Sequence, residues 1–182
     1  MSYNVLAFSG SLRKDSVNSS LVRAFKDNAP EGMEIEIVDW SNIPLYNQDH
    51  EAAFPAEVTE LKNRIKAADA IILSTPEYNR SIPGAFKNMI DWTSRPYGDS
   101  AWAKKPVLIA GATGGPIGTA LAQSDLKEVM LYLDAYLIGQ PELYLGSIHE
   151  KFDTEGKLTD SRTKELVATA FATFTALIDK VR

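Results

Sequence analysis

The chain contains no cysteine among its 182 residues. That excludes a disulfide framework, a thiolate nucleophile, thiolate metal ligation and an iron–sulfur cluster. Histidine is nearly as scarce, with His50 and His149 the whole supply. Neither belongs to a His-x-x-x-His pair, and no G-x-S-x-G elbow is present, so hydrolase or zinc chemistry has little to stand on. Asp49 and Glu51 flank His50, but adjacent carboxylates on a loop are usually solvated. Positive charge is also short. The formal net charge is −5 and the tightest basic cluster is Lys104-Lys105, a poor match to a nucleic-acid surface. No apolar run approaches the roughly 20 residues of a membrane helix. The first one, Val5 to Phe8, is too short for a signal peptide and lacks a basic flank. The expectation is a cytoplasmic protein with no membrane span, no nucleic-acid partner and no metal.

What is present reads as one domain over residues 1–182. Hydrophobic residues make up 45% and charged residues 24%, enough apolar surface for one core. Short β-rich runs alternate with amphipathic stretches. Asn4 to Ser9, Ala70 to Ser74 and Pro106 to Ala110 read as buried strands, and Glu34 to Val38 as a half-buried one. The run Ala135 to Ile138, extended toward Leu143-Tyr144, is the least marked strand. Helical stripes are carried by Leu21, Val22 and Phe25; by Val58, Leu61, Ile65 and Ala68; by Phe86, Met89, Ile90 and Thr93 after Pro83-Gly84; by Ile117 to Tyr132; and by Leu166, Ala170, Phe174, Leu177 and Val181. Five strands separated by helices predict an α/β fold, a parallel sheet covered on both faces. A flavodoxin-like three-layer sandwich, with a five-stranded parallel sheet in the order 2-1-3-4-5, suits this count.

In open α/β sheets ligands bind beyond the carboxyl ends of the strands, and three loops there are unusual. The first, Ser9 to Ser20, offers Ser9, Ser11, Ser16, Asn18, Ser19 and Ser20 as neutral donors, with Arg13 and a Gly10 that permits a tight turn. Helix N-termini hold phosphate through free N–H groups and the dipole, and Arg13 adds a forked, charge-assisted contact. Neither G-x-G-x-x-G nor a Walker A loop is present; the hydroxyl-rich build suits a terminal monophosphate. A solvated loop with a Ser or Asn N-cap is the competing reading. The second loop, Thr75 to Gly84, is stiffened by Pro76 and Pro83. Its N–H groups, the Tyr78 ring and the Asn79 amide suit the polar edge of a flat ring, although a rigid turn before a helix explains Pro83 equally well. The third loop, Gly111 to Gly118, has four glycines in eight residues and fits either close backbone approach by a ligand or a flexible connection.

Gly10-Ser-Leu-Arg13 with Ser16 and Asn18, then Pro76-Glu-Tyr-Asn79, then Pro83-Gly84 with Lys87-Asn88 and Asp91-Trp92, resemble the NADPH-dependent FMN reductase family, the flavodoxin-like group of quinone, azo-dye and chromate reductases. The resemblance implies non-covalent FMN, with NADPH or NADH as electron donor. It implies that Ser11, Arg13, Ser16 and Asn18 hold the FMN phosphate, beside Ser19 as a further hydroxyl of that loop. It implies that Pro76, Glu77, Tyr78 and Asn79 line the isoalloxazine, followed by Arg80 and Ser81, where position 80 varies in the family. Thr113, Gly114 and Gly115 match the loop that borders the ring and ribityl chain. No side chain is assigned as a catalytic nucleophile or base. Similar proteins are homodimers or homotetramers with the flavin near a subunit boundary. The helix here reads Ala120-Leu-Ala-Gln-Ser-Asp125 and lacks the Arg and Tyr that some tetrameric relatives carry. The expected cycle is ping-pong hydride transfer to a quinone, azo compound, metal oxyanion or free flavin. The alternative is a flavodoxin-type electron carrier without nicotinamide-dependent activity. Tyr97 and Trp102 are candidates either to cap the open flavin face or to belong to a surface loop pinned by one aromatic.

Overall fold

We describe residues 2–182 in a computed structural model. Strands β1 (Tyr3–Ser9), β2 (Met33–Ile37), β3 (Ala70–Ser74), β4 (Pro106–Ala112), β5 (Tyr136–Leu137) and β6 (Leu143–Leu145) alternate with helices. These are α1 (Val17–Asp27), α2 (Ala56–Ala67), α3 (Gly84–Thr93), α4 (Ala120–Tyr132) and α5 (Ser161–Val181). The order is β2-β1-β3-β4-β5, all parallel, the flavodoxin-like arrangement expected from the strand count. The fifth position is one strand in two pieces. Pro106 and Val107 pair with β5, and Ala110 to Ala112 with β6. Between the pieces lies Ile138 to Glu142, where Pro141 has no N–H to offer the ladder.

Side-chain alternation splits the core in two. Val5 and Ala7 of β1, Ile72 of β3 and Leu108 and Ala110 of β4 face α1 and α5, meeting Leu21, Phe25, Phe171 and Phe174. Leu6, Phe8, Ile71, Leu73, Val107 and Ile109 face the other way, onto Ile65 of α2, Phe86 and Met89 of α3, and Leu126 and Met130 of α4. Full burial of each such side chain contributes about 1.5–3 kcal/mol. The stripe predicted for α2 is the buried one. That of α5 is rotated: Val167, Ala170, Phe171, Phe174 and Ile178 are buried, while Leu166 and Leu177 lie at its margin.

Helix α4 begins three residues later than the pattern predicts. Gly118 and Thr119 both adopt the left-handed region, with φ of 70° and 65°, which breaks any helix started at Ile117. The third loop therefore runs over 113–119, shifted from the expected Gly111 to Gly118 because β4 also continues through Gly111 and Ala112. The register aligns the strand ends. Ser9 lies beside Ser74, and Ser74 beside Ala110, so the loops after β1, β3 and β4 leave the sheet side by side.

Candidate FMN site

The three loops are tied to one another by hydrogen bonds. Gly10 N–H donates to the Ser74 carbonyl at 2.7 Å, fixing the first loop to the end of β3. A Cβ at Gly10 would come within 2.7 Å of the Phe86 ring, so only glycine lets this loop lie so close to α3. The Asn18 amide bridges further. Its Oδ1 accepts from Ala112 N–H at 2.9 Å and from Ser74 Oγ at 3.0 Å, and its Nδ2 donates to the Ala112 carbonyl at 3.0 Å. The second loop reaches α4. Glu77 Oε2 accepts from the Leu121 and Ala122 amides at 3.0 and 3.2 Å. Thr119, at the helix start, supplies no side-chain cap, so Glu77 satisfies donors that would otherwise be orphaned.

Within the first loop the expected residues divide. Ser11, Arg13 and Ser19 line one cavity of about 400 Å³ together with Ser9 and Arg23. Ser19 Oγ donates to Ser9 Oγ at 3.0 Å, and Ser11 Oγ accepts from Arg13 N–H at 3.3 Å. Ser16 is buried as the N-cap of α1, its Oγ accepting from Asn18 N–H at 3.2 Å. Asn18 is turned inward as described. Neither lines that cavity. Asp39 and Trp40, which complete it from the segment after β2, were not legible as site residues. Trp40 arrives through a bond from Nε1 to the Ser9 carbonyl at 2.9 Å, a contact across 31 positions that no local motif announces.

In the second loop Tyr78 and Ser81 exchange two backbone hydrogen bonds, Tyr78 N–H to the Ser81 carbonyl at 2.9 Å and the reverse at 3.1 Å. Asn79 and Arg80 occupy the turn between them and are exposed. Pro76 and Ser81 are half-buried. The third loop is zipped to the chain after β6. Thr113 N–H donates to the Leu145 carbonyl at 3.0 Å, Ile148 N–H to that of Thr113 at 3.1 Å, and Ser147 N–H to that of Gly115 at 2.9 Å. His149 comes to rest against Gly114: a Cβ there would lie 3.4 Å from Nε2. Trp102 does not cap this region. It is wholly buried, near Phe8, with Nε1 donating to Thr93 Oγ1 at 2.9 Å. Tyr97 of the same segment is 87% exposed. Trp102 thus pins the segment, as the second reading expects, and leaves Tyr97 at the surface.

The slot fits a phosphorylated planar cofactor on the chemistry of its donors. Among the described residues, several amides of the three loops meet no protein acceptor, those of Leu12, Asn79 and Gly114 among them. Nothing lies within 4 Å of where a Gly115 side chain would begin, so a ring can approach that backbone. Arg13 and Arg80 take part in no ion pair among the described residues. No group of three metal-ligating side chains comes together among them.

Sheet order defines a flavodoxin-like domain whose three loops stand together at the carboxyl edge of the sheet. Comparison with known proteins narrows the class. The family model described as NADPH-dependent FMN reductase matches residues 3–150. A 2-hydroxy-1,4-benzoquinone reductase of Burkholderia sp is 40% identical over 178 residues, covering 98% of this chain and 97% of that protein. An NAD(P)H-dependent FMN reductase of Pseudomonas aeruginosa is 43% identical over 164 residues, covering 90% and 88%. The solved structure of FerB, a flavoenzyme NAD(P)H:(acceptor) oxidoreductase from Paracoccus denitrificans, superposes with a TM-score of 0.91 at 38% identity over 98% of each chain. The chain belongs to the NADPH-dependent FMN reductase family. It is therefore an FMN-dependent oxidoreductase that draws on a reduced nicotinamide nucleotide.

Proposed function

We propose that the protein reduces quinones and similar small acceptors in a ping-pong cycle at this slot. Bound FMN supplies a two-electron carrier that accepts hydride from the nicotinamide and passes the electrons on. The chain supplies position and electrostatics. Ser11, Arg13 and Ser19 take the cofactor phosphate, with Arg13 giving the charged, forked contact. Ser16 and Asn18 act one step back: Ser16 starts α1 and Asn18 holds loops one and three at a fixed spacing. Pro76, Glu77, Tyr78 and Asn79 form one wall of the ring slot, with the Tyr78 face and the Asn79 amide toward the ligand, and Glu77 fixing the wall to α4; Arg80 stands outside that wall, at the tip of the turn that Ser81 closes. Thr113, Gly114 and Gly115 form the opposite wall. No side chain serves as nucleophile or base, and rate comes from holding donor, ring and acceptor in register. The free amides of the second and third loops would donate to the polar edge of a bound ring.

The observation that carries this reading is the set of bonds from Gly10, Asn18 and Glu77 that ties the three loops to one another at one edge of the sheet. The decisive test is the absorbance spectrum of the purified protein, followed by anaerobic NADPH and then a quinone. Yellow protein that bleaches with NADPH and recolours with quinone is expected. Protein that stays colourless with added FMN overturns the proposal. Arg13→Ala should lose FMN far more readily than Lys14→Ala, and equal retention would remove Arg13 from the phosphate site.

A homodimer belongs to the same reading. Helix α4 is apolar on both sides: Leu126 and Met130 face the core, while Leu131 and Tyr132 are 62% and 81% exposed. A groove of about 860 Å³ between α3 and α4 lies beside them, lined by Lys87 and Asp91, which pair with each other at 2.7 Å, and by Asp125, Glu128 and Tyr132. A two-fold axis through this face would bury Leu131 and Tyr132 against a second copy. Leu131→Glu with Tyr132→Lys should give a smaller species by sedimentation, and an unchanged sedimentation coefficient would reject this face. A cytoplasmic location belongs to the same proposal, since reduced nicotinamide nucleotides are supplied there.

A further inference from the structure

The turn at the tip of the second loop is built against the preference of its own residues. With Tyr78 and Ser81 paired by two hydrogen bonds, Asn79 and Arg80 fill the central positions at φ of 52° and 69°. Two successive left-handed residues make a mirror-image turn of the type that joins hairpin strands. Asparagine suits the first position. The second is where glycine dominates, because a Cβ crowds the backbone there. An arginine held in that conformation is strained, and strain of this kind concentrates where a side chain has work to do.

The folded chain makes no visible use of the Arg80 side chain. It is exposed, and it forms no ion pair with any described residue. The carboxylate nearest in sequence is Glu77, and that group is taken up by the Leu121 and Ala122 amides of α4. The capping arrangement thus leaves a guanidinium unpartnered at the mouth of the slot, on a protein whose net charge is −5. Arg13 is the other unpaired arginine of the three loops, but it lines the first-loop cavity with Ser11 and Ser19.

We infer that Arg80 is the docking group for a phosphate of the reduced nicotinamide nucleotide, an inference that rests on the slot being the FMN site. A guanidinium presents a planar fork of donors that matches two phosphate oxygens, which neither a neutral quinone nor the isoalloxazine offers. The nucleotide always carries two phosphates, and NADPH a third. The rigid turn fixes the Arg80 Cα relative to the ring wall while the long side chain reaches outward. That geometry lets one residue hold the distal part of the donor and leave the slot clear for the acceptor in the second half of the cycle.

The test uses full-length, FMN-loaded protein and the variants Arg80→Gly and Arg80→Lys. Glycine is the residue this backbone favours, so Arg80→Gly should unfold no earlier than the parent and carry the same FMN. Its affinity for NADP⁺, read from the flavin difference spectrum of the oxidised protein, should fall about tenfold. The salt dependence of that binding should flatten. Arg80→Lys should recover part of the loss. A larger loss for NADP⁺ than for NAD⁺ assigns the third phosphate, and an equal loss assigns the pyrophosphate; both support the inference. Reoxidation of the pre-reduced protein by a neutral quinone should keep its rate. Parent-like affinity and salt dependence in Arg80→Gly overturn the inference, as does an equal slowing of the quinone step. FMN uptake and NADPH bleaching by the parent separate these results from failure of the FMN reading, which would overturn both.

Discussion

The side-chain amide of Asn18 pairs with the peptide of Ala112 as one strand pairs with another: Oδ1 accepts the Ala112 N–H at 2.9 Å while Nδ2 donates to the Ala112 carbonyl at 3.0 Å. A residue of α1 thereby extends the ladder on the β3 side of β4, beyond the last β3 pair at Ser74 and Ala110. Asn18→Ala would strand both Ala112 groups and the Ser74 hydroxyl in a buried setting, lowering stability by about 3 kcal/mol. Denaturant unfolding of the FMN-free protein checks this. Asn18→Asp should be nearly as costly, because it turns a carboxylate oxygen toward the Ala112 carbonyl.

Glu77 offers a milder case. Glu77→Ala removes the cap from α4 and should cost about 1 kcal/mol. Glu77→Gln keeps an oxygen acceptor without the charge and should cost less. Both should release FMN faster than the parent, as followed by fluorescence of the freed flavin.

The glycines of the third loop should separate into structural and ligand-facing members. A Cβ at Gly111 would overlap the Thr119 hydroxyl and come within 2.5 Å of the Thr75 carbonyl oxygen. Gly111→Ala should therefore destabilise by about 1–3 kcal/mol through overpacking. Gly115 has open space in the same direction, so Gly115→Ala should fold with parent stability and show its effect only in FMN affinity.

Trp102→Ala should act on folding. Emptying a site so deeply buried costs about 3–5 kcal/mol. Thermal unfolding should shift strongly, while kcat/KM for a quinone, measured well below the transition, should stay near the parent value.

Asp99 gives a pH signature. Hydrogen bonds from Lys62 at 2.8 Å and Lys66 at 2.6 Å hold its carboxyl at about 2, below the ordinary 3.8. A depressed folded pKa contributes stability that is complete above the unfolded value and disappears as pH falls through the folded one. The stability gap between the parent and Asp99→Asn should be flat from about pH 7 to 5 and close between about pH 4 and 2.

The sequence exposes the sheet order and the three loops because each rests on a local signal: apolar runs for buried strands, and glycine, proline and hydroxyl clusters at their ends. It also exposes α2 and α3, whose stripes are unbroken. What it hides depends on contacts between distant residues. Asn18 reads as a loop donor until Ala112 is placed beside it. Glu77 reads as a ring-lining residue, and its capping of α4 shows only once α4 begins above it. Trp102 in a polar segment resembles a surface aromatic, and only the fold shows it reaching Thr93. Gly111 looks like a ligand-facing glycine, yet it serves the packing of Thr119 and Thr75. The late start of α4 follows from two positive φ angles that apolar periodicity does not report.

Helix α4 has a further consequence through its two attachments. It is gripped at its start by the ring wall and, on the proposed reading, covered along its outside by a second chain. Association and cofactor retention then become thermodynamic conjugates, each altering the other by the same factor. Dilution would make the yellow protein shed its colour sooner, and saturating it with flavin would hold the pair of chains together at concentrations where the bare protein comes apart.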